Sequence, residues 1–218
     1  TEGVLKLIET HHVTHMHMVP IMFQRLLALP EDIRSKYDLS SLKRVIHGAA
    51  PCPRETKKQM IAWLGPVIFE YYAGSEGGAG IVISSEEWLA KPGSVGRIED
   101  PDVVIIVDEN GERLGANQDG EIYHRIDEEN PFEYFKAPEK TAAQHKGGYF
   151  TLGDVGRIDD DGFLFLTGRT AECIISGGVN IYPSARDQVL VGHADIPDVC
   201  TIGTPSKKRR RGDRAQCQ

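Results

Sequence analysis

The chain has 218 residues, 40% of them hydrophobic and 26% charged, with a formal net charge of −7. This length and mix can bury a sizeable core and suit a soluble protein of one or two domains. The acidic balance excludes a generic nucleic-acid binder, the short apolar runs exclude a membrane-spanning helix, and four scattered cysteines exclude a disulfide framework or zinc site and fit a cytoplasmic protein.

Residues 4 to 29 read as an amphipathic start followed by an apolar helix-like run, Ile21 to Leu29, ended by Pro30. Leu42 to His47 reads as a short buried strand entering a Gly-Ala-Ala-Pro turn. Pro53 to Leu64 has helical periodicity, with Pro53 placed for a first turn. Val67 to Tyr72 is β-branched and aromatic, hence a strand, and it ends in a glycine-rich loop. Strand, helix, strand in that order predicts part of a parallel α/β sheet. Beyond about residue 90, glycines punctuate short strands such as Val103 to Val107 and Glu121 to His124. Asp108 to Gly111 and Asp159 to Gly162 read as hairpin turns. This stretch predicts a small antiparallel β subdomain. After Arg169 come a strand (Cys173 to Ser176), a Gly-Gly turn and a helix from Pro183 to about Val191. The expected fold is α/β: part of a mixed α/β layered core (1–90), a β-rich subdomain (91–168) and a truncated α+β C-terminal domain (169–218).

Three motifs carry chemistry. Glu70 to Gly78, reading EYYAGSEGG, places Ser75 and Glu76 where a strand ends, the usual place for a ligand in an open α/β sheet. A hydroxyl beside a carboxylate suits a nucleotide phosphate with its Mg²⁺, Tyr72 offers a flat face for a base, and the glycines let backbone approach closely. Tyr149 to Asp154, YFTLGD, offers a carboxylate able to accept both hydroxyls of a ribose. Gly168 to Pro183, GRTAECIISGGVNIYP, begins with Arg169, a fork of donors suited to phosphate or ribose. Taken singly, each also fits a plain role: a tight turn, a capping aspartate, a surface salt bridge.

Together with His47 to Pro51, HGAAP, these segments resemble the successive core motifs of the adenylate-forming superfamily, and their texture is closest to the acyl-CoA synthetases that activate fatty acids. The match runs from about Val13 to Gly203. The resemblance implies that Gly48, Ala49 and Ala50 line the adenine site with Tyr72 against the base. Ser75 would touch the α-phosphate, Glu76 would hold Mg²⁺, and Asp154 would bind the ribose with help from Arg169. Residues Thr170 to Glu172 would form the hinge, and Ser176, Gly177 and Gly178 a loop facing the pantetheine of coenzyme A. ATP, AMP and CoA are the implied small-molecule partners, with a carboxylic acid as substrate.

The chain also departs from the family. A Ser/Thr/Gly-rich phosphate loop with a lysine does not occur in these residues, and the family's late C-terminal lysine has no counterpart. The chain opens at Thr1 without methionine, which marks it as a fragment expected to be inactive alone and prone to self-association. Ala171 stands where many members carry Lys or Asp, and Ala185 and Arg186 replace a usual Glu and aliphatic residue. After Pro205 the chain turns basic, with Lys207, Lys208, Arg209, Arg210, Arg211 and Arg214 against the single acid Asp213. A reading-frame shift or a mis-joined end would explain that flip, and without interleaved aromatics the run reads as a disordered end rather than a polyanion site.

Other readings compete. The segment Ala73 to Gly77, AGSEG, nearly matches a nucleophile elbow, which would make Ser75 the nucleophile of a serine hydrolase with Asp154 and His193 following in order. A catalytically dead nucleotide-binding remnant is a third possibility. His11, His12, His15 and His17 crowd together, but a helix would align His11 with His15 and a strand His15 with His17, and no cysteine or acid completes a metal set.

Overall fold

A computed structural model describes residues 1–176, 179–190, 196, 199–204 and 212–216. In chain order the first elements are α1 (Glu2–His11), β1 (His15–Met18), α2 (Pro20–Leu27), α3 (Glu31–Arg34), β2 (Arg44–His47), α4 (Arg54–Leu64), β3 (Ile68–Gly74), β4 (Gly77–Ile83), α5 (Ser85–Ala90) and β5 (Ser94–Arg97). Then come β6 (Val104–Val107), β7 (Gly120–Arg125), α6 (Pro138–Gln144), β8 (His145–Lys146), β9 (Tyr149–Ile158) and β10 (Phe163–Arg169). The last are β11 (Ile174–Ser176), β12 (Val179–Ile181), α7 (Pro183–Leu190), β13 (Cys200–Thr204) and β14 (Gly212–Gln216). The class is mixed α/β, as the strand–helix–strand order predicts. The chain divides into two compact units, one of Thr1–Ala73 with Gly80–Arg97, the other of Gly74–Ala79 with Ile98–Gln218.

The first unit is built on a sheet ordered β1-β2-β3-β4, with β1 parallel to β2 and β2 parallel to β3. The helix α4 connects β2 to β3, which parallel neighbours require. It buries Met60 and Ile61 while Lys58 and Gln59 stay exposed, and Gly65, at φ 81°, follows its last turn. Val45 and Ile68 are fully buried on neighbouring strands. Each such side chain contributes about 1.5–3 kcal/mol of transfer free energy. The apolar run expected from Ile21 is α2, entered through Pro20. Between it and α1 lies β1, whose His-Met-His-Met alternation buries only Met18, a period-two signal too short to stand out in the sequence. At the start of α5, the Ser84 side chain accepts from the Glu87 N–H (3.2 Å) while Glu87 accepts from the Ser84 N–H (3.0 Å), a reciprocal capping box.

The second unit holds the antiparallel strands β10-β9-β7-β6, with β8 pairing β9. Val104, Ile106, Ile122, Phe150, Val155 and Leu164 form its core. Its two Asp-initiated turns close by one mechanism. Asp108 Oδ1 accepts from the N–H groups of Asn110 and Glu112, and Asp159 Oδ1 from those of Asp161 and Phe163. Gly111 and Gly162 supply the left-handed residue at φ 83° and 84°. Further along, β11 pairs β12 and β13 pairs β14, both antiparallel. Residues 212–216 of the basic tail therefore form a strand rather than the disordered end expected from charge alone, because backbone pairing with residues 200–204 satisfies them. Lys207 to Arg211, Val191 and His193 lie outside the described residues.

Candidate functional site

In the first unit the HGAAP segment leaves the end of β2. Gly48 is buried so close to Tyr71 that a β-carbon would sit 2.5 Å from the ring. Ala49 adopts φ 66°, a left-handed conformation that an alanine holds only where its surroundings impose it. Ala49 and Ala50 are exposed, and Tyr72 is buried on β3.

Beneath this loop lies a polar cluster that sequence reasoning missed. The Lys57 ammonium is fully buried and donates to Glu70 Oε2 at 2.5 Å. It also sits 4.9 Å from the centre of the Trp88 ring. Burial pushes Lys57 down and Glu70 up, and each opposes the other's shift as its counter-ion. His47, opposite Glu70 in the β2–β3 register, has Nε2 3.8 Å from the same carboxylate. Burial, with Lys57 and His17 adding to it, pushes His47 down to about 3, so it is neutral. Burial raises the Cys52 thiol to about 12, which makes it inert as a nucleophile. The signal for the cluster was a lysine on the apolar face of a helix, three residues before Met60.

In the second unit Ser75 and Glu76 form the two-residue turn joining β3 to β4. Ser75 is exposed and Glu76 half-buried. Gly74 leaves room there for two side chains, since a β-carbon would meet Leu152 Cδ2 at 2.6 Å and Glu76 Oε2 at 3.1 Å and both would have to shift. Glu76 Oε1 accepts from the Tyr134 hydroxyl at 2.7 Å, a partner the sequence did not announce. The elbow reading fails at this turn. A nucleophile elbow joins a strand to a helix, whereas Ser75 joins a strand to a strand.

Asp154 and Arg169, assigned to one role from sequence, are brought together. They are cross-strand partners on β9 and β10, and Arg169 Nε donates to Asp154 Oδ1 at 3.1 Å. A bulge aims the carboxylate: Glu121 pairs Val155 and Tyr123 pairs Thr151, so Leu152, Gly153 and Asp154 face the single residue Ile122. Gly153 takes φ 77°, and its N–H donates to Thr151 Oγ1 at 2.9 Å. Nearby, His124 is buried, and burial lowers it to about 4 against the opposing field of Asp154.

The residues after Arg169 form a one-turn 3-10 helix, Thr170–Glu172, before β11. Ser176 ends β11, and Gly177 and Gly178 lie outside the described residues. His15 and His17 stand on β1, which settles the histidine stretch as strand after α1. His15 Nδ1 lies 2.9 Å from Thr14 Oγ1, and His17 Nε2 lies 3.3 Å from the Tyr71 hydroxyl. Among the described residues no group of three His, Cys, Asp or Glu could hold a metal ion by itself. Nor is any described helix long and apolar enough to cross a membrane.

Comparison with known proteins agrees with the motifs. The model of the family described as AMP-binding enzyme matches residues 1–127. The mouse protein acyl-coenzyme A synthetase ACSM4, mitochondrial, is 30% identical over 214 residues, covering 96% of this chain and 36% of its own length. A long-chain-fatty-acid–CoA ligase of Bacillus subtilis is 33% identical over 207 residues, covering 94% and 36%. Among solved structures, the amide bond synthetase McbA of Marinactinospora thermotolerans superposes with a TM-score of 0.86 at 30% identity, covering 97% of this chain and 43% of that one. The o-succinylbenzoate coenzyme A synthetase MenE of Bacillus subtilis, in complex with ATP and magnesium ion, does so with a TM-score of 0.78 at 25% identity, covering 99% and 44%. The chain thus spans about 36% of the length of these curated relatives.

Proposed function

The chain belongs to the AMP-binding enzyme family, and we propose that it serves an ATP-dependent acid–thiol ligase, activating a carboxylic acid, a fatty acid in the first instance, as its acyl-adenylate for transfer to CoA. In the first half-reaction the carboxylate oxygen attacks the α-phosphorus of ATP and pyrophosphate leaves. In the second, the CoA thiol attacks the acyl carbon and AMP leaves. The protein contributes alignment and charge stabilisation.

The observation that carries this reading is the Asp154–Arg169 pair at the bulge. A fixed carboxylate can accept both ribose hydroxyls, and the adjacent guanidinium, donating from Nε, orients it. In the same unit, Ser75 and Glu76 offer a hydroxyl and a hard carboxylate oxygen. These fit a magnesium ion that arrives on nucleotide phosphates, since Mg²⁺ uses one or two protein carboxylates and takes its other ligands from substrate and water. Magnesium would supply charge neutralisation at the phosphates, and Glu76 would hold it. Gly48, Ala49, Ala50 and Tyr72 would receive the adenine. The short 3-10 helix after Arg169 is the proposed hinge, and Ser176 with Gly177 and Gly178 the proposed CoA-facing loop.

Fatty acids are preferred because the relatives just described include a long-chain-fatty-acid–CoA ligase. The span of 36% of those relatives favours a second reading for the isolated chain: it binds nucleotide without turning over. Calorimetric titration with AMP, of the wild type and Asp154→Ala, tests the assignment. The wild type is expected to bind, and the variant to lose about tenfold or more in affinity, the loss of hydrogen bonds to a charged acceptor. Equal affinity in the two proteins would sink it.

A further inference from the structure

Glu76 stands on a two-residue turn with glycine on either side, at Gly74 and Gly77. A carboxylate so placed has little to fix its rotamer except what reaches it from elsewhere in its unit. One hydroxyl does, that of Tyr134, 2.7 Å from Oε1. The same hydroxyl lies 2.7 Å from Gln144 Oε1. A phenol has one proton, and a carboxylate can only accept it, so the proton belongs to Glu76. The Gln144 amide must then be turned over, with its NH₂ group donating to the phenolic oxygen. The result is a directed relay, Gln144 N–H to Tyr134 O–H to Glu76, in which each donor polarises the next.

Tyr134 is itself held from three sides. Its backbone N–H donates to the buried Thr141 Oγ1 at 2.9 Å. Its ring meets Phe132 edge-on with centroids 5.5 Å apart, and Phe132 packs at 4.9 Å against both His145 and Phe150. The Lys140 ammonium sits 3.8 Å from the ring centre. Lys140, Thr141 and Gln144 all come from α6, where Gln144 lies four residues after Lys140 and three after Thr141, spacings that share a helix face. That face is thus devoted to one tyrosine, and the tyrosine to one carboxylate oxygen.

We propose that Tyr134, oriented by Gln144 and α6, is a positioning residue for Glu76: it holds Oε1 so that Oε2 is presented to a divalent cation carried by a nucleotide triphosphate. The inference rests on the assignment of Glu76 to the metal, and AMP, which needs no metal, separates the two. Ligand carboxylates are commonly oriented by such outer partners, whose loss costs about tenfold in metal affinity.

The test uses the full chain as wild type, Tyr134→Phe, Gln144→Met and Glu76→Gln. Binding of Mn²⁺·ATP is read by water-proton relaxation, metal-free AMP by calorimetry, and folding by thermal melting. Tyr134→Phe is expected to weaken Mn²⁺·ATP roughly tenfold and to leave AMP binding and melting unchanged. Gln144→Met is expected to show the same split at about threefold, and it decides the matter if Tyr134→Phe does not fold. Glu76→Gln is expected to exceed both. If Glu76→Gln weakens Mn²⁺·ATP while the other two variants match the wild type, the relay has no positioning role and Glu76 keeps its assignment. If Glu76→Gln matches the wild type, the metal assignment is wrong and the proposal goes with it. Equal loss of Mn²⁺·ATP and AMP in Tyr134→Phe would show a merely structural tyrosine. A wild type that binds neither nucleotide would overturn the nucleotide reading itself.

Discussion

Lys57 is the residue that most constrains the first unit. A fully buried ammonium persists because Glu70 sits 2.5 Å away and the Trp88 face covers it. Removing one member leaves the other charge without a partner, which is worse than having neither. Lys57→Met is therefore expected to destabilise the protein by about 3 kcal/mol, with Glu70 taking up a proton to limit the damage. The double variant Lys57→Met/Glu70→Leu is expected to recover most of that loss. Urea unfolding of the four proteins of the cycle measures the coupling. Additive losses would mean that the pair contributes nothing beyond packing. The loop above has its own constraint. Ala49 at φ 66° and Gly48 against Tyr71 show a backbone shaped by its surroundings rather than by its own preferences.

Among the elements, the bulge in β9 has the most consequence. Three residues crowd opposite one, and Gly153 takes up the strain at φ 77° with nothing within 4 Å of where a β-carbon would be. Gly153→Ala thus meets no clash but pays the left-handed penalty, about 1 kcal/mol. Loss of stability of that size in urea, together with weaker AMP binding as Asp154 is re-aimed, is the expected result. Unchanged AMP affinity would separate the bulge from the proposed ribose site. This element also shows what a sequence can disclose. Asp154 and Arg169 were legible as a pair because motif residues name chemistry, but the bulge that aims one at the other was not, since it arises from register with β7. The strand–helix–strand reading of 42–72 succeeded because α4 has clear periodicity. By contrast, β1 was lost because its His-Met alternation lasts only four residues, and β4 was unreadable because Gly77, Gly78 and Gly80 mimic a loop. Tyr134 was invisible for another reason: its partner lies 58 residues away, and no local pattern marks such a contact.

For the whole molecule, acid is the condition to which both units respond. His47 in one and His124 in the other are buried and neutral, with values lowered to about 3 and about 4 from an ordinary 6.5. Unfolding frees each to take up a proton below pH 6.5, so the unfolded chain binds more protons there and stability falls as pH falls. Each histidine is expected to contribute a loss of roughly 1–2 kcal/mol between pH 7 and pH 5. Melting temperatures measured across that range should fall steadily, and His47→Gln should flatten the slope. A melting temperature independent of pH would mean that these rings stay solvated.

The excursion of Gly74–Ala79 out of the first unit has a consequence for how the protein comes to be made. The chain passes from one unit to the other three times, so no single cleavage releases either of them whole. During synthesis, Ser75 and Glu76 leave the ribosome together with the first unit's strands, long before Tyr134 and Gln144 exist to meet them. The turn is synthesised before the residues that complete it. It can acquire its working geometry only after α6 has been translated and folded.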